Sequence, residues 1–172
     1  AMGVKVWPMV EFEADDALAA AARKASDDPA VKKVIICTPD KDLSQCVVGE
    51  RIVQLDRMRN QFRNEAGVVE KFGVSPESIP DYLGLVGDTA DGYPGLPGWG
   101  AKASGTLLGI YKHLENIPKD PEQWAGGVRG AKKLAATLQD SFEDALLFRK
   151  LATLRYDVPV FDEIEELRWK GP

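Results

Sequence analysis

Apolar and polar positions divide this chain into a front part with mixed periodicities and a back part that is almost wholly helical in pattern. Ala17-Leu18-Ala19-Ala20-Ala21-Ala22-Arg23-Lys24 is a run of strong helix formers, with acids before it and bases at its end. That order predicts a helix, because acids favour the positive end of the helix dipole and bases the negative end. Asp27-Asp28-Pro29 closes it. Val31 to Cys37 is β-branched and ends in an apolar run, which predicts a buried strand. A helix followed by such a strand predicts an αβ unit of a parallel sheet. Arg51 to Asp56 alternates as a second short strand, and Val4 to Val10, with a proline inside, is an edge strand or an extended lead-in.

Beyond residue 62 the period lengthens to that of helices. Asn64 can cap a helix through Phe72, closed by Gly73. Ser75-Pro76-Glu77 opens another turn, and Asp81 to Val86 continues helically. Ala103 to His113, Gly130 to Leu138 and Ser141 to Leu154 are three further helices, with a Pro/Gly-rich loop over Ile117 to Gly127. Ser141 and Asp144 have capping-box spacing. His113, the single histidine, sits near a helix end and is assigned no catalytic role.

One stretch fits no element interior. Gly87-Asp88-Thr89-Ala90-Asp91-Gly92-Tyr93-Pro94-Gly95-Leu96-Pro97-Gly98-Trp99-Gly100-Ala101-Lys102-Ala103-Ser104 concentrates glycine, proline and two carboxylates before an apolar helix. Gly98 and Gly100 flank one bulky residue at a helix start, a pattern for a tight hairpin whose backbone N–H groups can face a phosphate. Asp88 and Asp91 lie three apart, so on one helical turn they face the same side. A capped helix after a surface loop is the alternative.

Two more acidic groups precede it. Glu13, Asp15 and Asp16 stand at a helix start, where acids also serve as caps. Asp40 and Asp42 follow the first buried strand, at the edge where α/β sheets bind ligands. An extended backbone there aims both the same way, although an Asx turn also accounts for them. Carboxylates brought together repel unless divalent cations neutralise them, and hard oxygen donors without a His/Cys set favour magnesium or manganese. Two such ions suit phosphodiester hydrolysis. A glycosidase needs only a carboxylate pair, fewer acids than these clusters hold.

The long Gly/Asp/Pro stretch resembles the helix–three-turn–helix signature of the 5′→3′ exonuclease and flap endonuclease family, which includes the 5′-nuclease domain of bacterial DNA polymerase I. Ala90, Gly92 and Trp99 depart from the family's serine, asparagine and small aliphatic. Glu13-Ala14-Asp15-Asp16 resembles its Glu-Ala-Asp-Asp motif, and Asp40-Lys41-Asp42 its Asp-Lys-Asp. The resemblance covers roughly residues 4–155.

It implies an α/β chain. A remnant of a parallel-sheet, PIN-like nuclease core occupies 4–62. A helical DNA-binding module occupies 63–155, with a helix–hairpin–helix-like motif at 81–113, and a tail follows at 156–172. It also implies metal-dependent hydrolysis of DNA phosphodiesters by two Mg²⁺ or Mn²⁺ ions. Glu13, Asp15, Asp16, Asp40, Asp42, Asp88 and Asp91 are then the catalytic and metal residues. Gly95, Leu96, Pro97, Gly98, Trp99, Gly100, Lys102 and Ser104 are then the duplex-DNA contacts, with a K⁺ ion at the hairpin. The family's first strand, with its Asp-Gly aspartate, and its Arg/Lys-rich arch have no counterpart in these residues. The chain is therefore expected to be a carboxyl-terminal portion, weakly active or inactive alone, with the remainder or a polymerase domain as partner. The rival expectation is a non-catalytic duplex-binding module using 95–104.

Composition changes little. Of 172 residues, 44% are hydrophobic and 28% charged, ordinary values for a soluble globular protein. No run approaches the ~20 apolar residues of a membrane span. Cys37 and Cys46 lack metal-ligand spacing and read as reduced thiols, so a cytoplasmic setting is expected. The net charge of −5 argues against a generic polyanion binder. Two facts offset it: metal ions would neutralise the acid clusters, and Lys102, Lys112, Arg129, Lys132 and Lys133 recur in the second half.

Overall fold

Alanine sets the geometry of the front layer. In the computed structural model, which describes residues 2–172, helix α1 (Ala14–Asp27) buries Ala17, Ala19, Ala20, Ala22 and Ala25, side chains small enough to let it lie close on its neighbours. It covers a three-stranded sheet of β1 (Val34–Ile36), β2 (Ile52–Asp56) and β3 (Gln61–Arg63), in that spatial order. β1 and β2 are parallel with Val34 opposite Ile52, as the αβ pattern predicts. β3 runs antiparallel to β2, with Asp56 opposite Gln61. The strand expected over 31–37 is trimmed to three residues, because β2 offers β1 only Ile52 to Gln54 as partners. β3 carries no sequence signal: Gln61-Phe62-Arg63 is short and polar, and pairs only because a tight turn with Asn60 at φ 50° folds it back on β2. Val4 to Val10 makes no strand and is the extended lead-in.

The helical layer follows the expected order. α2 (Glu65–Phe72) starts at Asn64, whose side chain accepts the Gly67 N–H at 2.9 Å, and ends on left-handed Gly73. α3 (Ile79–Val86), α4 (Ala101–Tyr111), α5 (Ala131–Asp140) and α6 (Phe142–Ala152) enclose Leu83, Leu85, Leu107, Leu108 and Leu114, all at most 1% exposed. α3 packs chiefly on α6. The capping box expected at Ser141 is not formed. Ser141 ends α5 and begins α6 at once, so its backbone (φ −119°, ψ 30°) lacks the extended conformation an N-cap needs. A capping box forms instead at the start of α1, between Glu13 and Asp16.

The tail returns across the front layer. Val158 packs with Ala17 and Ala20, and Phe161 stacks on Trp7 at 6.2 Å between ring centroids. The Lys24 ammonium lies over the Phe161 ring and donates to the Phe161 carbonyl. Among the described residues no helix is long and apolar enough to cross a membrane.

A buried carboxylate locks the helical layer. Asp81 on α3, 3% exposed at the side chain, accepts from Arg149 Nη1 on α6 (2.9 Å), from the Leu114 N–H (3.1 Å) and pairs with His113 Nδ1 (3.0 Å). The histidine left without a role by its sequence position is thus a structural ligand of Asp81. Removing the carboxylate leaves the Leu114 N–H without its buried acceptor, while Arg149 keeps its pair with Glu115 (2.7 Å), so Asp81→Ala should cost about 2 kcal/mol. Urea unfolding should show a lower midpoint at unchanged m-value; a shift worth less than about 1 kcal/mol would mean the lock carries little of the fold.

Candidate metal centre and nucleic-acid interface

The acidic site lies where the start of α1, the turn after β1, the α3–α4 loop and the end of α6 meet. Glu13, Asp15, Asp16, Asp42 and Asp91 line one open cleft of about 660 Å³, together with Tyr93, Lys150 and Arg155. One carboxylate oxygen each from Asp42, Asp88 and Asp91 lies within 4.8 Å of the others. Asp40 is exposed at the rim, close enough for its charge to act on both Asp15 and Asp42. All three acidic groups therefore converge, although by different local geometry from that expected. Asp40 and Asp42 sit on a turn, not on extended backbone: Asp40 Oδ1 accepts the Asp42 N–H at 3.4 Å and a 3₁₀ turn follows over Asp42–Cys46. Asp88 and Asp91 are not on a helical turn. Asp88 pairs with Tyr93 through two backbone hydrogen bonds, making a small hairpin that carries Asp91 over Asp42.

Two side-chain amides hold this arrangement. Gln54 on β2, fully buried, donates to the Asp40 carbonyl and accepts from Ser44 Oγ (2.9 Å) and Arg63 Nη1 (2.7 Å). Gln45 donates to the Asp42 and Ala152 carbonyls, each at 2.9 Å, and accepts the Leu154 N–H, pinning the 3₁₀ turn to the end of α6. Gly87 and Gly95 close the acidic loop at its neck. A Cβ on Gly87 would lie 2.4 Å from Pro94, and one on Gly95 would lie 2.4 Å from the Gly87 nitrogen. Both are also at positive φ, so only glycine closes the loop there.

The seven carboxylates are not equivalent. Asp16 gives one oxygen to the Glu13 N–H (3.3 Å) and the other to the Arg155 N–H (2.8 Å), so it joins α1 to the end of α6. Asp88 gives Oδ2 to Lys41 Nζ (2.7 Å) and Oδ1 to the Ala90 N–H (3.0 Å). Asp42 is buried, and its Oδ1 has no partner among the described residues. The Tyr93 hydroxyl, on a residue 3% exposed in the same cleft, likewise has none. Two orphaned polar atoms beside clustered hard oxygen donors fit a divalent cation with its water. Tyr93, Lys41 and Lys150 escaped the sequence reading. Only Lys41 carried a signal, as the middle residue of Asp-Lys-Asp.

On the other side of the loop, the hairpin expected to hold a nucleic-acid backbone is built from both walls and surface. Leu96, Trp99, Ser104 and Gly95 are buried. The Trp99 indole donates to the Leu134 carbonyl at 3.2 Å, and the Leu96 and Trp99 N–H groups bond to Leu85 and Leu96. These residues form the hairpin's inner packing. Pro97, Gly98, Gly100 and Lys102 are its exposed face, beside the Ala101, Lys102 and Ala103 N–H groups of the first turn of α4.

Residues 1–73 match the family described as 5′-3′ exonuclease, N-terminal resolvase-like domain, and residues 74–172 match 5′-3′ exonuclease, C-terminal SAM fold. The chain belongs to the 5′-3′ exonuclease family. It is 39% identical to DNA polymerase I of Pseudomonas aeruginosa over 97% of its own length and 18% of that protein. It is 37% identical to the 5′-3′ exonuclease of Aquifex aeolicus over 99% of its length and 55% of that protein. The chain thus spans about half of the exonuclease relative and under a fifth of the polymerase. Its fold matches the T5 5′-exonuclease described with bound divalent zinc ions, at a TM-score of 0.63 and 20% identity, covering 85% of this chain and 52% of that one. The family match runs through 156–172, beyond the span that the motifs alone support.

In this family member the acidic centre is under electrostatic strain. Burial, then the charges of Asp40, Glu13, Asp91 and Asp16, push Asp15 up to about 6. Burial and the adjoining carboxyl of Asp91 push Asp42 up as well. A carboxyl whose folded pKa is raised binds its proton more tightly in the native state. Stability then falls as pH climbs from the ordinary carboxylate value through the folded one. The surface acids held low by ion pairs, such as Glu77 and Glu115, act in the opposite sense and only below about pH 4.5. In EDTA, thermal melts should therefore show stability declining from about pH 5 toward pH 8, and Asp42→Asn should flatten the decline; a flat wild-type profile would refute it. Tyr93→Phe keeps the ring's stack on Phe148 (6.1 Å) while deleting the unsatisfied hydroxyl. The metal-free protein should gain about 1 kcal/mol, read as a higher melting temperature; a loss would show that the hydroxyl is already bonded.

Proposed function

We propose that the chain handles metal and DNA as part of a structure-specific 5′→3′ exonuclease or flap endonuclease that hydrolyses DNA phosphodiesters. The observation that carries this is the convergence of three sequence-distant acidic groups on one cleft, with the buried, unpartnered Asp42 Oδ1 at its centre. Asp42 and Asp91 are the direct ligands, with Asp15 and Asp40 completing a second position and Glu13 acting at the rim. Asp16 and Asp88, whose oxygens are engaged by N–H groups and Lys41, position their neighbours. These carboxylates would hold two Mg²⁺ or Mn²⁺ ions, which would supply positive charge for the scissile phosphate and a lowered pKa for the attacking water. Lys150, exposed in the same cleft, reaches toward a phosphate from the opposite wall. Tyr93 is kept protonated by burial and by the charges of Asp42, Asp88, Asp91 and Asp40, and donates a hydrogen bond into the cleft.

The hairpin holds the duplex through its exposed backbone and Lys102, contacts that read phosphate and not base sequence. A K⁺ ion on the hairpin carbonyls belongs to the same reading. The family's first-strand aspartate and arch are not among these 172 residues, so cleavage by them alone is expected to be weak.

Duplex binding and cleavage of a 5′-labelled flap, measured with Mg²⁺, Mn²⁺ or EDTA, test the proposal. Asp40→Ala and Asp91→Ala should abolish metal-dependent cutting and weaken Mn²⁺ binding while leaving duplex affinity unchanged. Cutting that persists in EDTA, or Mn²⁺ binding indifferent to both substitutions, would overturn the metal assignment. Duplex binding with no metal binding at all would instead leave a non-catalytic module.

A further inference from the structure

A second cleft, of about 820 Å³, contains none of the acidic residues and has two walls. One is the hairpin face, Gly98 and Gly100 to Ala103. The other, the loop from Gly126 and the first turn of α5, presents Arg129 and Lys133, and its Leu134 carbonyl receives the Trp99 indole N–H, which fixes the two walls to each other. The chain carries 27 acids and a net charge of −5, yet no acid lines this cleft and three cations do: Lys102, Arg129 and Lys133. All three are exposed, and among the described residues none of their charged groups makes an ion pair or hydrogen bond. Cations gathered without counter-ions on an acidic protein repel one another, and a polyanion relieves this.

The hairpin wall is also bare at Gly100. Gly100 has an ordinary extended backbone (φ −111°), and a Cβ there would meet nothing within 4 Å. As the N-cap of α4 glycine suits that position, and the open space around it leaves room for close approach of a ligand backbone. No aromatic side chain lines the cleft, so it lacks the stacking platform on which single strands are held.

We infer that the Gly126–Lys133 wall is a second phosphate grip on the duplex held by the hairpin, with Arg129 and Lys133 neutralising backbone phosphates opposite Lys102. This rests on the hairpin reading above and adds the far wall to it. Both helices open on a Gly-Ala-Lys sequence, Gly100-Ala101-Lys102 at α4 and Gly130-Ala131-Lys132 at α5, with Gly100 extended and Gly130 left-handed, and a backbone can lie between them.

The test is fluorescence anisotropy of a labelled duplex and of its single strand, with the 172-residue chain in EDTA across a salt series. The proteins compared are wild type, Lys102→Ala, the double variant Arg129→Ala/Lys133→Ala, and Lys32→Ala as a surface control. The double variant should bind duplex several-fold more weakly, with a salt slope reduced by about two, roughly one for each cation removed. Its melting temperature should match wild type, and the control should bind as wild type. If Lys102→Ala weakens binding while the double variant retains wild-type affinity and slope, the far wall is no grip and the inference fails alone. If the double variant loses single-strand and duplex binding equally, the assignment to duplex is overturned. If wild type binds no duplex, the hairpin reading fails and this inference falls with it.

Discussion

Like charges held together without a counter-ion are the constraint on which this structure turns. Two carboxylates 4.8 Å apart repel by on the order of 3 kcal/mol at an effective dielectric of ~20, and Asp42, Asp88 and Asp91 form three such pairs. A flexible loop would swing its acids apart. The chain prevents this with neutral bonds that do not titrate: Gln54 fixes the Asp40 carbonyl, Gln45 fixes the Asp42 turn to α6, and the Gly87–Gly95 neck fixes the loop that carries Asp91. Lys41 relieves part of the charge by pairing with Asp88 and leaves Asp42 and Asp91 facing the cleft. What remains uncompensated is the strain that raises Asp15 and Asp42. It is the electrostatic counterpart of affinity for a divalent cation.

The same neck connects the two halves. Residues 87–95 close the acidic loop, and residue 96 onward builds the hairpin, whose Leu96 N–H bonds back to Leu85 at 2.8 Å. Acidic loop and hairpin therefore share one rigid junction at the end of α3. α3 itself is fixed to α6 by the Asp81–Arg149 pair, and the far end of α6 reaches the acidic cleft through Gln45 and Asp16. On the proposed reading, a duplex held at the hairpin would take up a set position relative to the carboxylates. That coupling arises from packing, hydrogen bonds and a largely buried ion pair that salt screens little, so salt should weaken the grip without altering the geometry.

Much of this was legible in the sequence, for reasons that differ by element. The alanine run, the Asn64 and Gly73 caps and the β-branched strand are local signals, and each formed where its pattern lay. The acidic groups were visible as clusters because motif spacing is local too. Their convergence was expected from the family resemblance and not from spacing, since it depends on Gln45 and Gln54, amides whose partners lie up to 109 residues away. β3 was invisible because its pairing comes from β2 and a turn, not from its own composition. Trp99 was expected among the duplex contacts by resemblance, but it is buried against Trp124 and Leu134, which lie in the loop and helix that follow. Asp16 read as a metal ligand by motif and is engaged by backbone on both oxygens. A motif specifies which residue types recur, not which oxygen remains free.

Net charge was the least informative quantity, and its failure is instructive. A value of −5 argues against a partner that is itself a polyanion, because long-range repulsion slows encounter. Beyond a Debye length of about 8–10 Å, however, exposed charges are largely screened, so a partner at the surface feels the local field and not the sum. Here one group of acids lines the α1–α6 junction, where cations can neutralise it, while the only charged residues lining the 820 Å³ cleft are cations. A phosphate backbone entering that cleft meets a basic surface on a formally acidic protein.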